Sequence, residues 1–313
     1  MKPDDQYMED QYDFFLSSPI INSDEGNLTV YFGSSDGNLY SVDAHTGSLK
    51  WKFKTNGVVH TSPTLYKGKV YIGSWDTFVY AIDAKTGKEL WKFKSGDDSQ
   101  YHILEGIQAS PTASNGNIYI GARDGMFYAL NAETGALNWK YSANNSWILT
   151  TAAVKDKTVY IGTSDSFLFL ALDTETGKEK YQVKTSGYNY SSTAVAGNTA
   201  FYGDFTGKIY ALDLKSGKIV DEYETPGRKV NAEKILNREG VLDFKHLAAG
   251  KDPVFYQTAV DVMNELYKLG PIVSSPVIAN GTIFFGSTDG YLYAVNLKER
   301  DSDTLSAFDH KHE

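Results

Sequence analysis

The 313-residue chain contains no cysteine. Disulfides, thiolate metal sites and cysteine nucleophiles are therefore excluded, while the compartment stays open. Positive charge is scarce: 30 Lys and Arg stand against 39 Asp and Glu, a net charge of −9, and the basic residues do not run together. Such a chain is poorly suited to nucleic acid or to an anionic membrane surface, so neither is expected as a partner. No stretch approaches the ~20 consecutive apolar residues of a membrane-spanning helix. The opening residues, MKPDDQYMEDQYDFF, are polar and acidic and lack the apolar core of an export signal. Nucleophile elbow, phosphate loop and metalloprotease helix motifs are also missing.

What is present is repetition. The stretch GSWDTFVYAIDAKTGKELWKF from Gly73 recurs as GSSDGNLYSVDAHTGSLKWKF from Gly33, GARDGMFYALNAETGALNWKY from Gly121 and GTSDSFLFLALDTETGKEKYQV from Gly162. GDFTGKIYALDLKSGKIVDEY follows from Gly203 and GSTDGYLYAVNL from Gly286. The lead glycines step by 40, 48, 41, 41 and 83 residues. Six copies near one period identify a repeat protein.

Each copy reads as four strands. A short apolar run leads through a Gly/Asn/Asp turn into a Val-Tyr-Ile-Gly type strand. Ser-x-Asp-Gly then makes a tight turn, because Asp and Gly accept the backbone conformations such a turn demands. A third strand, a Lys-Thr-Gly type turn and an outer strand ending in Trp-x-Phe complete the unit. Four-stranded units of ~40 residues with apolar runs on both faces are blades of a β-propeller. Aromatics at 14%, with 22 Tyr and 16 Phe, suit the space between stacked sheets. The expected fold is all-β, a single propeller domain over 12–297 with blades near 17–53, 61–93, 109–141, 150–183, 191–223 and 274–297, and polar tails at 1–11 and 298–313.

The Asp-Ala-x-Thr-Gly-x-x-x-Trp-x-Phe signature at Asp43–Phe53 and Asp83–Phe93, and at Asn131–Tyr141 with Asn and Tyr substituted, resembles the PQQ-type propeller repeat. That family contains quinoprotein dehydrogenases and non-catalytic envelope proteins such as the outer-membrane assembly lipoprotein. The resemblance covers about residues 10–297 apart from one insert. It is specific for fold and says less about function, because the repeat itself is structural. It implies a periplasmic or cell-envelope location, with any export signal upstream of Met1.

Two features interrupt the period. Residues 95–106 (SGDDSQYHILEG) lie between the second and third blades. Residues 226–270 are not propeller sequence: Phe255, Ala259, Val262, Met263, Leu266 and Leu269 mark one helical face opened by Asp252-Pro253 and ended by Gly270, and a shorter helix is expected after Asn231. The sixth copy stops at Leu297 without an outer strand, whereas Tyr12–Phe15 resembles an outer strand without a blade. The expectation is that these fragments pair and close a six-bladed propeller, leaving no open sheet edge; the same two ends also fit a longer family member, for example one of eight blades, that has been cut.

Aligning the copies with one another exposes candidate functional residues. The variable turn position is Ser35, Trp75, Arg123, Ser164, Phe205 and Thr288. The entering loops carry Leu16, His60, Gln108, Leu149, Tyr190 and Val273, with His102, Trp147 and Tyr188 nearby. In a propeller these loops and turns share one face, so His60, Trp75, His102, Gln108, Arg123, Trp147 and Tyr190 are expected as a solvent-facing ligand or partner site, tolerant of substitution. Rings and donors together suit a protein partner or a small polar or glycan ligand. By contrast, Trp51, Trp91, Trp139 and Tyr181 read as packing between blades, and Asp36, Asp76, Asp124, Asp165 and Asp289 as caps of the same turn. His60 and His102 alone make a weak zinc site, and dispersed aspartates do not make a calcium site. The quinoproteins of the family use a vicinal cysteine pair and a calcium set, which this chain lacks. A non-catalytic binding or scaffold propeller without cofactor is therefore expected, with a quinone-dependent oxidoreductase as the alternative.

Overall fold

A computed structural model describes residues 16–24, 26–96, 106–251, 255–301 and 304–308. Among these residues, 24 strands form six four-stranded sheets in sequence order: β1–β4 within 20–54, β5–β8 within 64–94, β9–β12 within 112–142, β13–β16 within 153–184, β17–β20 within 194–224 and β21–β24 within 277–308. These are the expected propeller blades. Each is an antiparallel meander, as in β5 (Thr64–Tyr66), β6 (Lys69–Gly73), β7 (Phe78–Asp83) and β8 (Glu89–Lys94).

Burial follows from stacking. In β7, Val79, Tyr80, Ala81 and Ile82 are all buried in succession, so both faces of this strand are covered, which a one-sided sheet never does. The outer strand β8 alternates between exposed and half-buried residues. Between the first and second sheets, Tyr31, Leu39, Val59, Val70 and Ile72 form one apolar layer; Tyr71, Val79, Ile107, Ile118 and Ile120 form the next.

The repeated Thr-Gly and Trp are partners across neighbouring sheets. Trp51 Nε1 donates to the Ala84 carbonyl (3.0 Å), Trp91 to Ala132 (3.1 Å), Trp139 to Thr174 (2.9 Å), and the Tyr181 hydroxyl to Leu214 (3.2 Å). The Thr-Gly glycine of the following copy lies on the ring. A Cβ on Gly87 would come within 2.7 Å of Trp51, and one on Gly135 within 2.7 Å of Trp91. Both glycines have positive φ, +70° and +73°, so the position excludes side chains on two grounds.

The chain divides into two compact units, Met1–Lys157 with Thr174–Lys178, and Thr158–Asp173 with Glu179–Glu313. The second carries the insert. Its helix α1 spans Pro226–Ile235, α2 Phe244–Ala248 and α3 Phe255–Tyr267. Helix α1 starts before the expected Asn231, because Thr225 caps it by accepting from Arg228 N and Pro226 supplies a first-turn residue with no N–H to satisfy. On α3 and just beyond it, Ala259, Val262, Met263, Leu266 and Leu269 are buried, the face read from the helical spacing. The Asp252-Pro253 start lies outside the described residues. Among the described residues no helix is long and apolar enough to cross a membrane.

The last sheet corrects the sequence expectation. Strand β23 runs from Leu292 to Asp301, and β24 (Thr304–Phe308) returns along it to complete the sheet. Residues 304–308 are therefore an outer strand rather than tail. Phe308 is fully buried against Phe201 and Tyr223, and its N–H donates to Asp221 Oδ2 at 2.9 Å. Burying one ring and one backbone donor holds a strand that its polar sequence conceals. Tyr12–Phe15 lie outside the described residues.

Candidate functional site

In five of the six sheets the turn between the second and third strands is built on one aspartate. Asp76 Oδ1 accepts from Phe78 N (3.1 Å), and its Oδ2 accepts from the Tyr80 hydroxyl (2.7 Å). The pattern recurs with Asp36 and Tyr40, Asp124 and Tyr128, and Asp289 and Tyr293. Asp204, two places earlier in its turn, pairs with Tyr210. The same carboxylates hold the loop that enters their own sheet from the preceding one, as Asp76 does with Asn56 N (2.9 Å) and Asp124 with Gly96 N (2.7 Å). These aspartates are occupied in shaping loops, and the tyrosine four residues on is the partner that the sequence reading missed.

On this frame five of the seven candidate residues gather in the first unit. The Arg123 guanidinium carbon lies 4.4 Å from the Trp75 ring centre and 4.5 Å from that of Trp147, while Nε donates to Gln108 Oε1 at 2.8 Å. His60 meets Trp75 edge-on with ring centres 6.5 Å apart, and its Nε2 is 2.8 Å from Ser35 Oγ. The turn carrying Trp75 has Thr77 at φ +74°, where the first, third and sixth sheets have glycine. A β-branched residue there stores backbone strain.

Tyr190 belongs to a different cluster in the second unit. It stacks on Tyr188 at 5.5 Å, meets Phe205 edge-on at 5.5 Å and lies 3.1 Å from Ser164 Oγ; Phe205 in turn packs on Tyr267 of α3. His102 lies outside the described residues.

The expectation of a solvent-facing platform is not met. Arg123 is 0% exposed, Gln108 and Tyr190 2%, Trp75 3%, Trp147 4% and His60 7%. The rings and donors of the five in the first unit face one another, and Tyr190 faces its own cluster in the second. Comparison of the copies identified the unusual residues, but it could not show that His60, Trp75, Gln108, Arg123 and Trp147 fill each other's contacts, because they come from three different copies. Among the described residues no group of three or more His, Asp or Glu is placed to share a metal ion.

The profile of the outer-membrane protein assembly factor BamB matches residues 16–110 and 76–240. The chain belongs to that family. Search of curated protein sequences gives no match. Among solved structures, the computationally designed Ika8 protein is 17% identical and superposes with a TM-score of 0.64, covering 89% of this chain and 70% of its own. BamB from Moraxella catarrhalis is 16% identical with a TM-score of 0.51, covering 90% of this chain and 83% of its own. Quinohemoprotein alcohol dehydrogenase from Comamonas testosteroni is 17% identical with a TM-score of 0.65 and covers 92% of this chain. This chain spans about half the length of that enzyme, matching 53% of it. These likenesses establish the propeller fold.

Proposed function

We propose that this member of the BamB family is a non-catalytic scaffold of the cell envelope that binds a protein partner on its sixth sheet. One observation carries the reading. The residue paired with the lead glycine is Leu39, Val79, Phe127, Phe169, Ile209 and Leu292 in the six sheets. The first five are 0% exposed and Leu292 is 74% exposed. Tyr291, which precedes it, is 69% exposed, and Val277, two strands away in the same sheet, is 61% exposed.

The other sheets indicate what belongs there. Val59, Ile107, Ile148 and Ile272 come from the loop entering the following copy, and each would contact a Cβ on the preceding lead glycine. Gly286 meets only Ser274, which belongs to its own sheet. The sixth sheet thus presents an apolar surface already shaped to receive a branched side chain. Exposed apolar side chains at positions the other sheets bury are the kind of surface a protein partner covers.

The quinone-dependent alternative finds less support. Calcium takes six or more oxygens in one shell, whereas the turn aspartates are engaged by their own turns. Trp75 and Trp147 are occupied by Arg123. The described residues do not fit a quinone and its calcium, and we propose that none is used. Nor is an open ring face left at Trp75 or Trp147 for a glycan.

The test is a photocrosslinking residue at 292, with the exposed Val230 as control, followed by titration of the identified partner against the wild type and Leu292→Asp. We expect a crosslink at 292 alone and weakened binding by the variant at unchanged melting temperature. Equal crosslinking at 230, or an unaffected titration, refutes the site. Dye-linked alcohol oxidation with pyrroloquinoline quinone and calcium would refute the non-catalytic reading.

A further inference from the structure

On the first unit, a cleft of about 680 Å³ opens between the first and second sheets. Its walls include Lys50, Lys67, Lys69, Lys85, Trp51 and Asp83. In an acidic chain without a basic run, the fold collects four lysines from three separate loops and strands.

The neighbouring seam shows that the repeat does not require them. Lys67 and Lys69 flank Gly68 in the turn between β5 and β6; Asn115 and Asn117 flank Gly116 in the same turn of the third sheet. Lys85 follows Ala84 where Glu133 follows Ala132, and Lys50 precedes Trp51 where Leu90 precedes Trp91. The equivalents at the next seam are therefore Asn, Asn, Glu and Leu, a set without a cation.

Lys67 is held there against its backbone preference. Its φ is +49°, and the residues at this point of the third, fourth, fifth and sixth sheets are Asn115 (+49°), Asp156 (+45°), Gly197 (+54°) and Asn280 (+50°). Asn, Asp and Gly are the residues that tolerate this left-handed conformation, and lysine does not share their advantage. Strain of this kind gathers at functional sites.

Not all four cations are equally available. Lys50 lies 3.6 Å from Asp43 and donates to Thr29 Oγ1 at 2.8 Å; Lys69 lies 2.5 Å from Glu133, whose side chain is 73% exposed. Asp83, the carboxylate in the wall, holds its own turn through Lys85 N and the Thr86 N–H and hydroxyl. Exposed ion pairs are weak and exchange readily for a ligand.

We propose that this cleft binds a small polyanion, a molecule carrying at least two phosphate or carboxylate groups, with its body against Trp51 and its charges on Lys67 and Lys85. The site is independent of the sixth-sheet surface.

The experiment titrates tripolyphosphate and citrate calorimetrically into the whole chain at low ionic strength, where screening extends beyond about 10 Å. The test variant is Lys67→Asn with Lys85→Glu, which installs the residues of the neighbouring seam. Lys184→Glu with Lys215→Asn, at exposed positions of the second unit, matches the loss of three charges and controls for net charge. We expect one bound anion per chain, affinity at least about tenfold weaker in the double variant and unchanged in the control. Preference for either anion assigns the ligand as phosphate or carboxylate. Equal binding by the double variant, or no heat from either anion up to roughly 1 mM, overturns the proposal. Should the double variant lose its fold, Lys67→Asn alone, which relieves the strained φ, is read the same way.

Discussion

Arg123 places its guanidinium carbon 4.4 Å from the centre of the Trp75 ring in a fully buried setting. The two residues are 48 positions apart and belong to consecutive copies of the repeat. A charge removed from water this completely is costly unless its surroundings hold it. Here two indoles and the Gln108 oxygen do so.

The first prediction concerns this cation. Arg123→Ala removes a large buried side chain and leaves a cavity between two tryptophans, so it should destabilise the fold by about 3 kcal/mol or more in urea denaturation. Arg123→Lys keeps the charge but loses the plane that stacks, and should cost roughly 1–2 kcal/mol. The sequence reading had made this a tolerant surface position, and burial reverses that expectation. Two variants as stable as wild type would show that the stack is not structural.

A second concerns the contact between sheets. Trp91→Ala should cost about 3–5 kcal/mol by opening a cavity and removing one of the two donors to the Ala132 carbonyl, leaving the Tyr71 hydroxyl. Gly135→Ala should also destabilise, since its Cβ would meet the Trp91 ring at 2.7 Å and its φ is +73°. Gly116→Ala has a similar φ of +81° but open space around it, so it should cost only the backbone strain of about 1–2 kcal/mol. Thermal denaturation of the two alanine variants separates collision from strain; equal losses would contradict the packing account.

The turn aspartates should titrate in opposite directions. Burial pushes the Asp36 carboxyl up, but hydrogen bonds from Tyr40, Asn38 and Ser34 outweigh it and hold the group at about 2. Its stabilising contribution is therefore present above the ordinary carboxylate range and lost as pH falls through about 2. At Asp124, burial is the largest influence and wins over hydrogen bonds from Tyr128, Met126 and Gly96, so the carboxyl is raised. The folded state then favours its protonated form, and that contribution fades as pH rises through the raised value. Carboxyl NMR titration should show the split, and Tyr40→Phe should move Asp36 upward. An unmoved Asp36 would rule out the tyrosine bond as a cause.

The insert is secured at Thr225 and Arg228. The Thr225 hydroxyl caps α1 and donates to the Leu269 carbonyl at 2.6 Å. Arg228 bonds Glu224 Oε1 at 2.8 Å, the Thr206 carbonyl at 3.0 Å and the Gly240 carbonyl at 3.2 Å. Thr225→Ala should cost about 1–2 kcal/mol. Arg228→Ala should speed limited proteolysis within residues 226–270, because it frees the turn at Gly240. Unchanged cleavage would mean that the arginine does not hold the insert.

The repeat was legible in the sequence because each copy encodes its own meander. Asp and Gly shape the turns, alternating and continuous apolar runs set the strands, and the helical spacing from Ala259 to Leu269 marks the buried face of the insert. These are local relations, readable within about ten residues. Contacts between copies were not readable in that way. The Thr-Gly and Trp of one repeat look like neighbours in the motif, yet each serves the adjacent sheet. The candidate residues stand out as departures from the repeat, but the exposure of the six that are described was misjudged, since Arg123, Trp75 and Trp147 cover one another only after three copies stack. The four lysines of the cleft and the bare Leu292 are invisible for the same reason: a sequence specifies which side chains a blade carries, and only the packing of one blade on the next decides which of them water reaches.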